Sequence, residues 1–201
     1  MPPRGVDEDK RATLRRFAAL GAATSVAGLM EPAESESDAR QAIVGYLAAT
    51  PGAHFSKLRD DLALGTGETQ HHLRQLLDVD AIESYRDGDY RRFFPAGRFS
   101  EFEQTALGYL RRETPRGMVI ELLRNPRAGT ADLAAALDVS PPTISKHAAD
   151  LAEAGLIDRE DGYSLTRPET VLVLLVRHAD SFDENAAAFA AEAAEHISVE
   201  S

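Results

Sequence analysis

The feature that constrains this chain most is an internal repeat with an offset of 75 residues. Apolar positions in one segment recur at that spacing in a second segment, while the polar residues between them differ freely. The matched positions are Ile43 and Met118, Val44 and Val119, Leu47 and Leu122, Pro51 and Pro126, Leu58 and Leu133, Leu62 and Leu137, Leu64 and Val139, His72 and His147, Leu76 and Leu151, and Ala81-Ile82 and Leu156-Ile157. A constant register of apolar positions predicts one fold used twice.

The first copy predicts three helices followed by a β-hairpin. Helical spacing of apolar residues places helices at 41–49 and 55–62, and a third from the turn at 64–67 to about Val79. The third helix is expected to turn Thr69, Leu73 and Leu76 inward. Strands are then expected at 81–85 and 90–94, with the strong turn pair Asp87-Gly88 between them.

The second copy follows the same order. Helices are expected at 117–124 and 131–137, the latter capped by Thr130. Ser140 is expected to cap the third helix, with Pro141 at its first position, and Gly155 is expected to end it. Strands at 156–159 and 163–166 flank the turn at Asp161-Gly162. Three helices and a hairpin form a winged helix, so the pattern predicts this fold in tandem.

The predicted fold class is mainly α with small β-hairpin wings, as two winged helix-turn-helix domains with flanking N- and C-terminal helices. We expect five parts: an N-terminal helix and acidic linker over 1–37, the first winged helix over 38–98, a connecting helix over 99–113, the second winged helix over 114–168, and C-terminal helices over 169–201. Within this organisation, Glu34–Asp38 is interpreted as the linker.

The stretch LAAALDVSPPTISKHAADLAEAGLI, residues 133–157, resembles the helix-turn-helix of ArsR- and MarR-type regulators. Residues 55–77 are similar to the same motif in archaeal regulators, and the resemblance covers about 38–167. It implies a transcription regulator whose partner is double-stranded DNA. Two positions depart from the motif: Gly65 replaces the usual serine cap, and Ala148 replaces the usual leucine.

The acidic net charge of the chain is the property least expected of a protein that binds DNA. The formal net charge is −11, with 33 acidic and 22 basic residues, and only three of the basic residues are lysines. Such a composition is typical of proteins from salt-loving archaea, although an ordinary acidic protein has it too. In molar salt the Debye length is about 3 Å, so an acidic body repels DNA weakly while short arginine–phosphate contacts still form. The acidity is therefore compatible with DNA binding.

The resemblance also indicates which residues would meet DNA, because the third helix of this motif lies in the major groove. With the inward positions fixed by the core, the outward positions of the first unit are Thr66, Glu68, Gln70, His71 and Arg74, and its wing carries Arg86, Arg91 and Arg92. In the second unit they are Pro142, Thr143, Ser145, Lys146 and Ala149, with Arg159 and Arg167 near the wing. Asp158, Glu160 and Asp161 offset the charge of Arg159.

The same residues allow other interpretations. Winged helices also serve as protein-interaction modules in chromosome- or polymerase-associated complexes, and arginines on a hairpin can simply protect a strand edge. No Ser-His-Asp order, paired-carboxylate site or phosphate loop stands out, and cysteine is absent, so we expect no enzyme activity, cofactor or metal. His72 and His147 are expected to pack beside the core. His54, His71 and His72 lack a carboxylate or cysteine at ligand spacing.

The N-terminal segment has two interpretations. Arg15-Arg16-Phe17 followed by apolar residues 18–30 is similar to a twin-arginine export signal, but the residue usually found before the phenylalanine is missing. The apolar stretch is also too short to span a bilayer. We favour an amphipathic helix over 7–20 that binds a partner or a second copy. A cytoplasmic protein without a membrane span is therefore expected.

The C-terminal region also has two interpretations. The helix over 169–178 contains the apolar run Val171–Val176, and 182–197 is rich in alanine. Such flanking helices commonly form a two-fold homodimer that matches a palindromic operator, and a homodimer is the expected state. Alternatively, the run packs across its own winged helix. No feature of the sequence indicates a small-molecule effector.

Overall fold

The computed structural model describes residues 34–199, and the side chains of 37–194 within them. The predicted helix over 7–20 and the Arg15-Arg16 pair lie outside the described residues. The chain divides into two compact units between Phe99 and Ser100. We call the part up to Phe99 unit 1 and the part from Ser100 onward unit 2.

Unit 1 contains the three helices and the hairpin that the repeat predicts. Its elements are α1 Glu34–Ala49, β1 Ala53–His54, α2 Phe55–Asp61, α3 Thr66–Asp78, β2 Ile82–Asp87 and β3 Tyr90–Pro95. The three strands form an antiparallel sheet in the order β1-β3-β2. Two details were not predicted. Glu34–Asp38 is the start of α1 and not a linker, and β1 adds a third strand.

A single apolar core holds unit 1 together. Its members come from all three helices and all three strands: Ile43, Tyr46, Leu47, Ala53, Leu58, Leu62, Leu73, Leu76, Ile82 and Phe93 are all buried. The prediction that Thr69, Leu73 and Leu76 turn inward is confirmed. The Tyr46 hydroxyl donates to Asp61 Oδ2 at 2.7 Å, which ties the core face of α1 to the end of α2.

Unit 2 repeats this order and adds helices on both sides. Its elements are α4 Glu101–Leu110, α5 Glu113–Arg124, α6 Thr130–Ala136, α7 Pro141–Glu153, β4 Ile157–Asp158, β5 Ser164–Leu165, α8 Pro168–His178, a 3₁₀ turn Ala179–Ser181 and α9 Glu184–Val199. The hairpin is shorter than predicted, with only two residue pairs, Ile157 with Leu165 and Asp158 with Ser164. The fold class expected from the sequence is confirmed.

The backbone itself repeats at the offset of 75 residues. Ala63 and Asp138 both have positive φ, at 52° and 51°, and follow the matching helices α2 and α6. Asp80 and Gly155 both have positive φ, at 52° and 71°, and follow the matching helices α3 and α7. Since residues with a side chain rarely adopt this conformation, two matched occurrences indicate that both units bend the chain in the same way.

Two of the three predicted caps in unit 2 are confirmed. The Ser140 hydroxyl accepts from the backbone N–H of Thr143, and Gly155 follows the end of α7. The prediction for α6 is wrong by one residue, because Gly129 is the N-cap and Asp132 accepts its backbone N–H at 2.9 Å. The Thr130 hydroxyl instead lies 3.0 Å from the hydroxyl of Tyr163.

The helix predicted as a connection, α4, packs within unit 2 against α5 and α8. The hydroxyl of Ser100 caps its start, and the Glu103 carboxylate accepts the Ser100 backbone N–H at 2.8 Å. This reciprocal capping box explains why the helix begins where the second unit begins.

The C-terminal helices also pack on their own unit. Val171, Leu174 and Leu175 of α8 are buried, as are Ala186 and Phe189 of α9. Ion pairs from α5 hold α9 in place: Arg116 pairs with Asp183, and Arg124 with Glu192 at 2.8 Å. The buried side of the apolar run therefore packs within unit 2 against α4 and α9, while Val173 and Val176 remain exposed. No helix in this part of the chain is long and apolar enough to cross a membrane.

Candidate nucleic-acid interface

The third helix of unit 1, α3, presents a polar face opposite its buried one. Thr66, Gln70, His71 and Arg74 are exposed. Gln70 and Arg74 are four residues apart, so they are neighbours on the helix surface, and His71 lies next to them. The core fixes this orientation from the other side through Thr69, whose hydroxyl also donates to the Gly65 carbonyl at 2.9 Å. Four of the five predicted residues of α3 are therefore accessible together.

Glu68, the fifth predicted residue of α3, has a different role. Its Oε2 accepts the backbone N–H of Gly65 at 3.1 Å. Since glycine has no side chain with which to cap the helix, the carboxylate three residues later satisfies one of the free N–H groups at the helix start. We therefore assign Glu68 to the cap and leave it out of the candidate interface.

A buried histidine and a partly buried hydrogen bond lie where α3 packs against α1. His72 is only 3% exposed, and its Nδ1 has no hydrogen-bond partner among the described residues. Burial lowers the pKa of His72 from its ordinary value. Nearby, Arg40 of α1 donates to Gln75 Oε1 at 3.2 Å. The prediction of a packed histidine is confirmed at His72, and no group of three or more possible metal ligands occurs among the described residues.

The wing of unit 1 is long, with six residue pairs between β2 and β3. Arg86 lies directly opposite Arg91, so the two side chains leave the hairpin on the same face. Both are exposed, and Arg91 Nε donates to the Ser84 hydroxyl at 3.0 Å. Arg86 forms no ion pair with the part of the chain that the structure describes. Like charges directly opposite each other destabilise a hairpin, and a bound anion would relieve that repulsion.

The prediction for Arg92 needs correction. Its side chain is 3% exposed and forms an ion pair with Asp87, and its Nη1 donates to the Gly52 carbonyl at 3.0 Å. Arg92 therefore ties the hairpin to the loop before β1 and is not available to DNA. This difference could have been predicted from the sequence, because adjacent residues of a strand, such as Arg91 and Arg92, point to opposite faces.

One exposed residue of this wing was missed by sequence reasoning. Tyr90 begins β3 and its side chain is 49% exposed. Its ring lies against the His54 ring with centroids 5.2 Å apart. The Arg92 guanidinium carbon lies 5.4 Å from the centre of the same ring. The signal in the sequence was an aromatic residue close to the predicted hairpin turn. It was missed because only charged residues were considered as wing contacts.

In unit 2, the helix that matches α3 is α7, and its exposed residues are less polar. Pro142, Ser145, Lys146 and Ala149 are exposed. Thr143 is half-buried, and its hydroxyl lies 2.8 Å from that of Ser140, within the helix cap. Of the predicted side chains, Lys146 and Ser145 are therefore the ones available to a ligand.

His147 does not repeat the burial of His72. Its side chain is 25% exposed, and Nδ1 lies 3.7 Å from Asp150 Oδ2. Partial burial lowers the pKa of His147, and the nearby carboxylate of Asp150 opposes this shift by raising it. The expectation of a packed histidine therefore holds only in part at this position.

The wing of unit 2 carries net negative charge. Arg159 is exposed, but it follows the short strand β4 and lies among three exposed acidic residues, Asp158, Glu160 and Asp161. Arg167 stands at the start of α8, where its guanidinium carbon lies 4.5 Å above the centre of the Phe102 ring. The two wings therefore differ in both length and charge, although the helices before them match.

Comparison with known proteins finds two family models that match successive parts of the chain. A family model described as an N-terminal HTH domain matches residues 37–107, and one described as winged helix-turn-helix DNA-binding matches 111–158. The chain thus contains two helix-turn-helix domains in tandem. Neither description is that of an ArsR- or MarR-type family.

The chain is also similar to a curated protein named as an uncharacterized HTH-type transcriptional regulator, MJ1398, of Methanocaldococcus jannaschii. The two are 27% identical over 127 residues, which cover 63% of this chain and 32% of the relative. The chain therefore spans about a third of the length of the curated relative that it matches. No solved structure matches it significantly.

Proposed function

We propose that this protein is a DNA-binding transcription regulator in which unit 1 makes the main contact with double-stranded DNA. The winged helix-turn-helix domains and the name of the curated relative support the general activity. The observation that carries the assignment to unit 1 is the exposed cross-strand pair of Arg86 and Arg91, in the same unit as the exposed polar face of α3.

Each residue of this interface has a chemistry suited to one part of DNA. Gln70 offers the amide that pairs with adenine through two hydrogen bonds, and Arg74 offers a guanidinium for guanine or phosphate. In this proposal both enter the major groove with His71 beside them. Arg86 and Arg91 contact phosphates of the backbone, which position the domain without reading sequence.

Unit 2 makes a weaker contact in this proposal. Lys146 supplies one phosphate contact from α7, and Ser145 beside it can bond a base edge. The acidic residues around Arg159 repel phosphate, and the two-pair hairpin reaches less far than the wing of unit 1. High salt would screen this repulsion at distances beyond about 3 Å.

The proposal includes the remaining expectations from the sequence. A regulator of this kind acts in the cytoplasm, where the DNA is, and binds a two-fold operator as a homodimer. Light scattering coupled to size exclusion would measure the mass of the free protein and of the complex. A protein that carries one copy per duplex at saturation would remove the dimer from the proposal.

Matched arginine variants test the DNA contact. Fluorescence anisotropy with a labelled duplex would give the affinity of the full chain across a salt series, within the range where circular dichroism shows an intact fold. Arg86→Ala and Arg91→Ala are each expected to weaken binding and to reduce the salt slope by about one. Arg98→Ala removes the same charge from an exposed position after β3 and is expected to change little.

The same experiment decides against the proposal if the three variants bind alike. Lys146→Ala measures the share of unit 2, with an expected loss smaller than that of Arg91→Ala. Genome-wide occupancy mapping in the native host would then identify the operator. Binding that is equal for all sequences and sites would leave the protein a DNA binder without a regulatory target.

A further inference from the structure

The tip of the unit 1 wing holds an aromatic side chain that the arginine contacts do not explain. Tyr90 is the most exposed Tyr or Phe residue among those whose side chains the structure describes, with 49% of its surface exposed. It directly follows the two-residue turn Gly88-Asp89. Single exposed apolar side chains are ordinary on protein surfaces, so what distinguishes Tyr90 is its place at the hairpin tip and the contacts that order its ring.

The structure holds this ring in place instead of letting it turn freely in solvent. On one side lies the His54 ring, whose Nδ1 accepts the Lys57 backbone N–H at 3.3 Å. The Arg92 guanidinium also contacts the ring, and is itself fixed by Asp87 and by the Gly52 carbonyl. A ring ordered in advance loses little conformational entropy when a ligand packs on it.

The ring and the two exposed arginines leave opposite faces of the hairpin. The strand register places Tyr90 opposite Asp87, on the face that also carries Arg92. Arg86 and Arg91 share the other face with Phe93, which belongs to the core of unit 1. The tip therefore offers positive charge on one face and a fixed aromatic surface on the other.

We infer that Tyr90 contacts DNA directly, packing its ring against deoxyribose and base edges in the groove beside the phosphates held by Arg86 and Arg91. The inference rests on the proposed function and adds an uncharged contact to it. The neighbouring Asp89 is exposed and acidic, so a phosphate contact at the tip itself is disfavoured. An aromatic ring needs no charge on its partner, and base and sugar surfaces are the apolar parts of a duplex.

A tryptophan at this position would report the contact, because the chain contains none. In the full-length Tyr90→Trp variant, the emission is expected to be quenched when an unlabelled duplex binds, since the indole then packs against sugars and base edges. Heparin, a polyanion without bases, is expected to bind the arginines and leave the emission unchanged. The control variant Val173→Trp places the reporter at a 52% exposed position of unit 2, where no quenching is expected.

Affinity gives an independent measurement. Tyr90→Ala is expected to weaken duplex binding about five- to tenfold and leave the salt slope unchanged, because no charge is removed. Tyr90→Phe keeps the ring and is expected to bind like the wild type. Arg91→Ala, in contrast, lowers both the affinity and the slope. Thermal unfolding of each variant separates a loosened hairpin from a lost contact.

The outcomes distinguish this inference from the function on which it rests. If the wild type binds no duplex, both fall. If the wild type binds and the emission of the Tyr90→Trp variant stays constant at saturation, or Tyr90→Ala binds as tightly as the wild type, the inference alone falls. Equal quenching in the Tyr90→Trp and Val173→Trp variants would also overturn it, because the response would not be local to the wing.

Discussion

Arg92 and Asp87 form an ion pair that is almost completely buried, with 3% and 8% of their side chains exposed. The two residues lie on the same face of the unit 1 hairpin, and Arg92 extends the link to the Gly52 carbonyl. Arg92 thus helps to hold a long wing in place, while its exposed neighbour Arg91 remains available to a ligand. Of these two adjacent arginines, Arg92 stabilises the fold and Arg91 lies on the surface.

Replacing Arg92 is therefore expected to damage stability before it damages binding. Arg92→Ala leaves the Asp87 carboxylate buried without its partner, which costs about 3–5 kcal/mol in the free energy of unfolding. Urea unfolding followed by circular dichroism would measure this, with Arg91→Ala as the control at an expected change within about 0.5 kcal/mol. Removing both partners should cost less than the sum of the single changes. Additive losses would contradict the pairing.

Histidine burial predicts that the free energy of unfolding falls as the solution becomes acidic. Burial is the leading cause that lowers the pKa of His54, His72 and His147 in the folded protein. The unfolded chain then binds more protons than the folded one below the ordinary histidine pKa of about 6.5, so acid favours unfolding. Stability is full above that value and is lost as the pH falls toward the lowered pKa values.

Urea unfolding at pH 7.5 and at pH 5.5 would measure this dependence at constant salt. His72→Leu removes the most buried of the three histidines and is expected to reduce the difference between the two pH values. A free energy of unfolding that rises on acidification would show the opposite sign and contradict the burial argument. His71→Leu provides an exposed neighbour as the control.

The contact of α5 with the end of α6 predicts that a side chain at position 117 must displace the side chain of Leu137. A Cβ there would lie 2.6 Å from Leu137 Cδ2, closer than side-chain carbons approach. Gly117→Ala is expected to cost about 1–3 kcal/mol of unfolding free energy through overpacking. Gly67→Ala, at a position of α3 with no atom within 4 Å, is the matched control and should not destabilise.

Shortening the neighbouring side chain tests the same contact. The double variant Gly117→Ala/Leu137→Ala should lose less stability than the sum of the two single losses, because the clash is absent from it. If the double variant is as unstable as the sum of the two single variants, the close approach is not the cause.

The acidic residue at the wing tip predicts a variant that binds DNA more tightly. Asp89 lies in the turn next to the proposed phosphate contacts of Arg86 and Arg91. Asp89→Asn removes its repulsion, and we expect roughly two- to fivefold tighter binding, an effect that shrinks with added salt. Asp161→Asn removes one charge from the wing of unit 2 and should change the affinity less. An equal gain in both would place the main contact on both wings.

The sequence predicted the repeated parts of the fold well, because the apolar register at the offset of 75 residues records the core of both units. It predicted less where the signal is short or local. β1 has only two residues, so no alternation can be recognised in it. The segment Glu34–Asp38 is acidic and rich in serine, yet it continues a helix whose core face begins at Ala39.

The candidate site shows the same division. The buried positions of α3 followed from helical spacing, and Gln70, His71 and Arg74 followed from them. Glu68 was misassigned because its position three residues after the N-cap, which is typical of a helix-capping carboxylate, was not considered. Arg92 was misassigned because charge was considered before strand alternation, and Tyr90 was passed over because it carries no charge.

The matched backbone bends have a practical consequence. The segments 63–80 and 138–155 are equal in length, and each starts and ends at a residue with positive φ. Grafting one onto the other's place should thus preserve the path of the flanking chain, provided that the apolar positions are retained. The polar face of α3 could then be transplanted onto the second scaffold, which would give a protein with the same reading helix in both units.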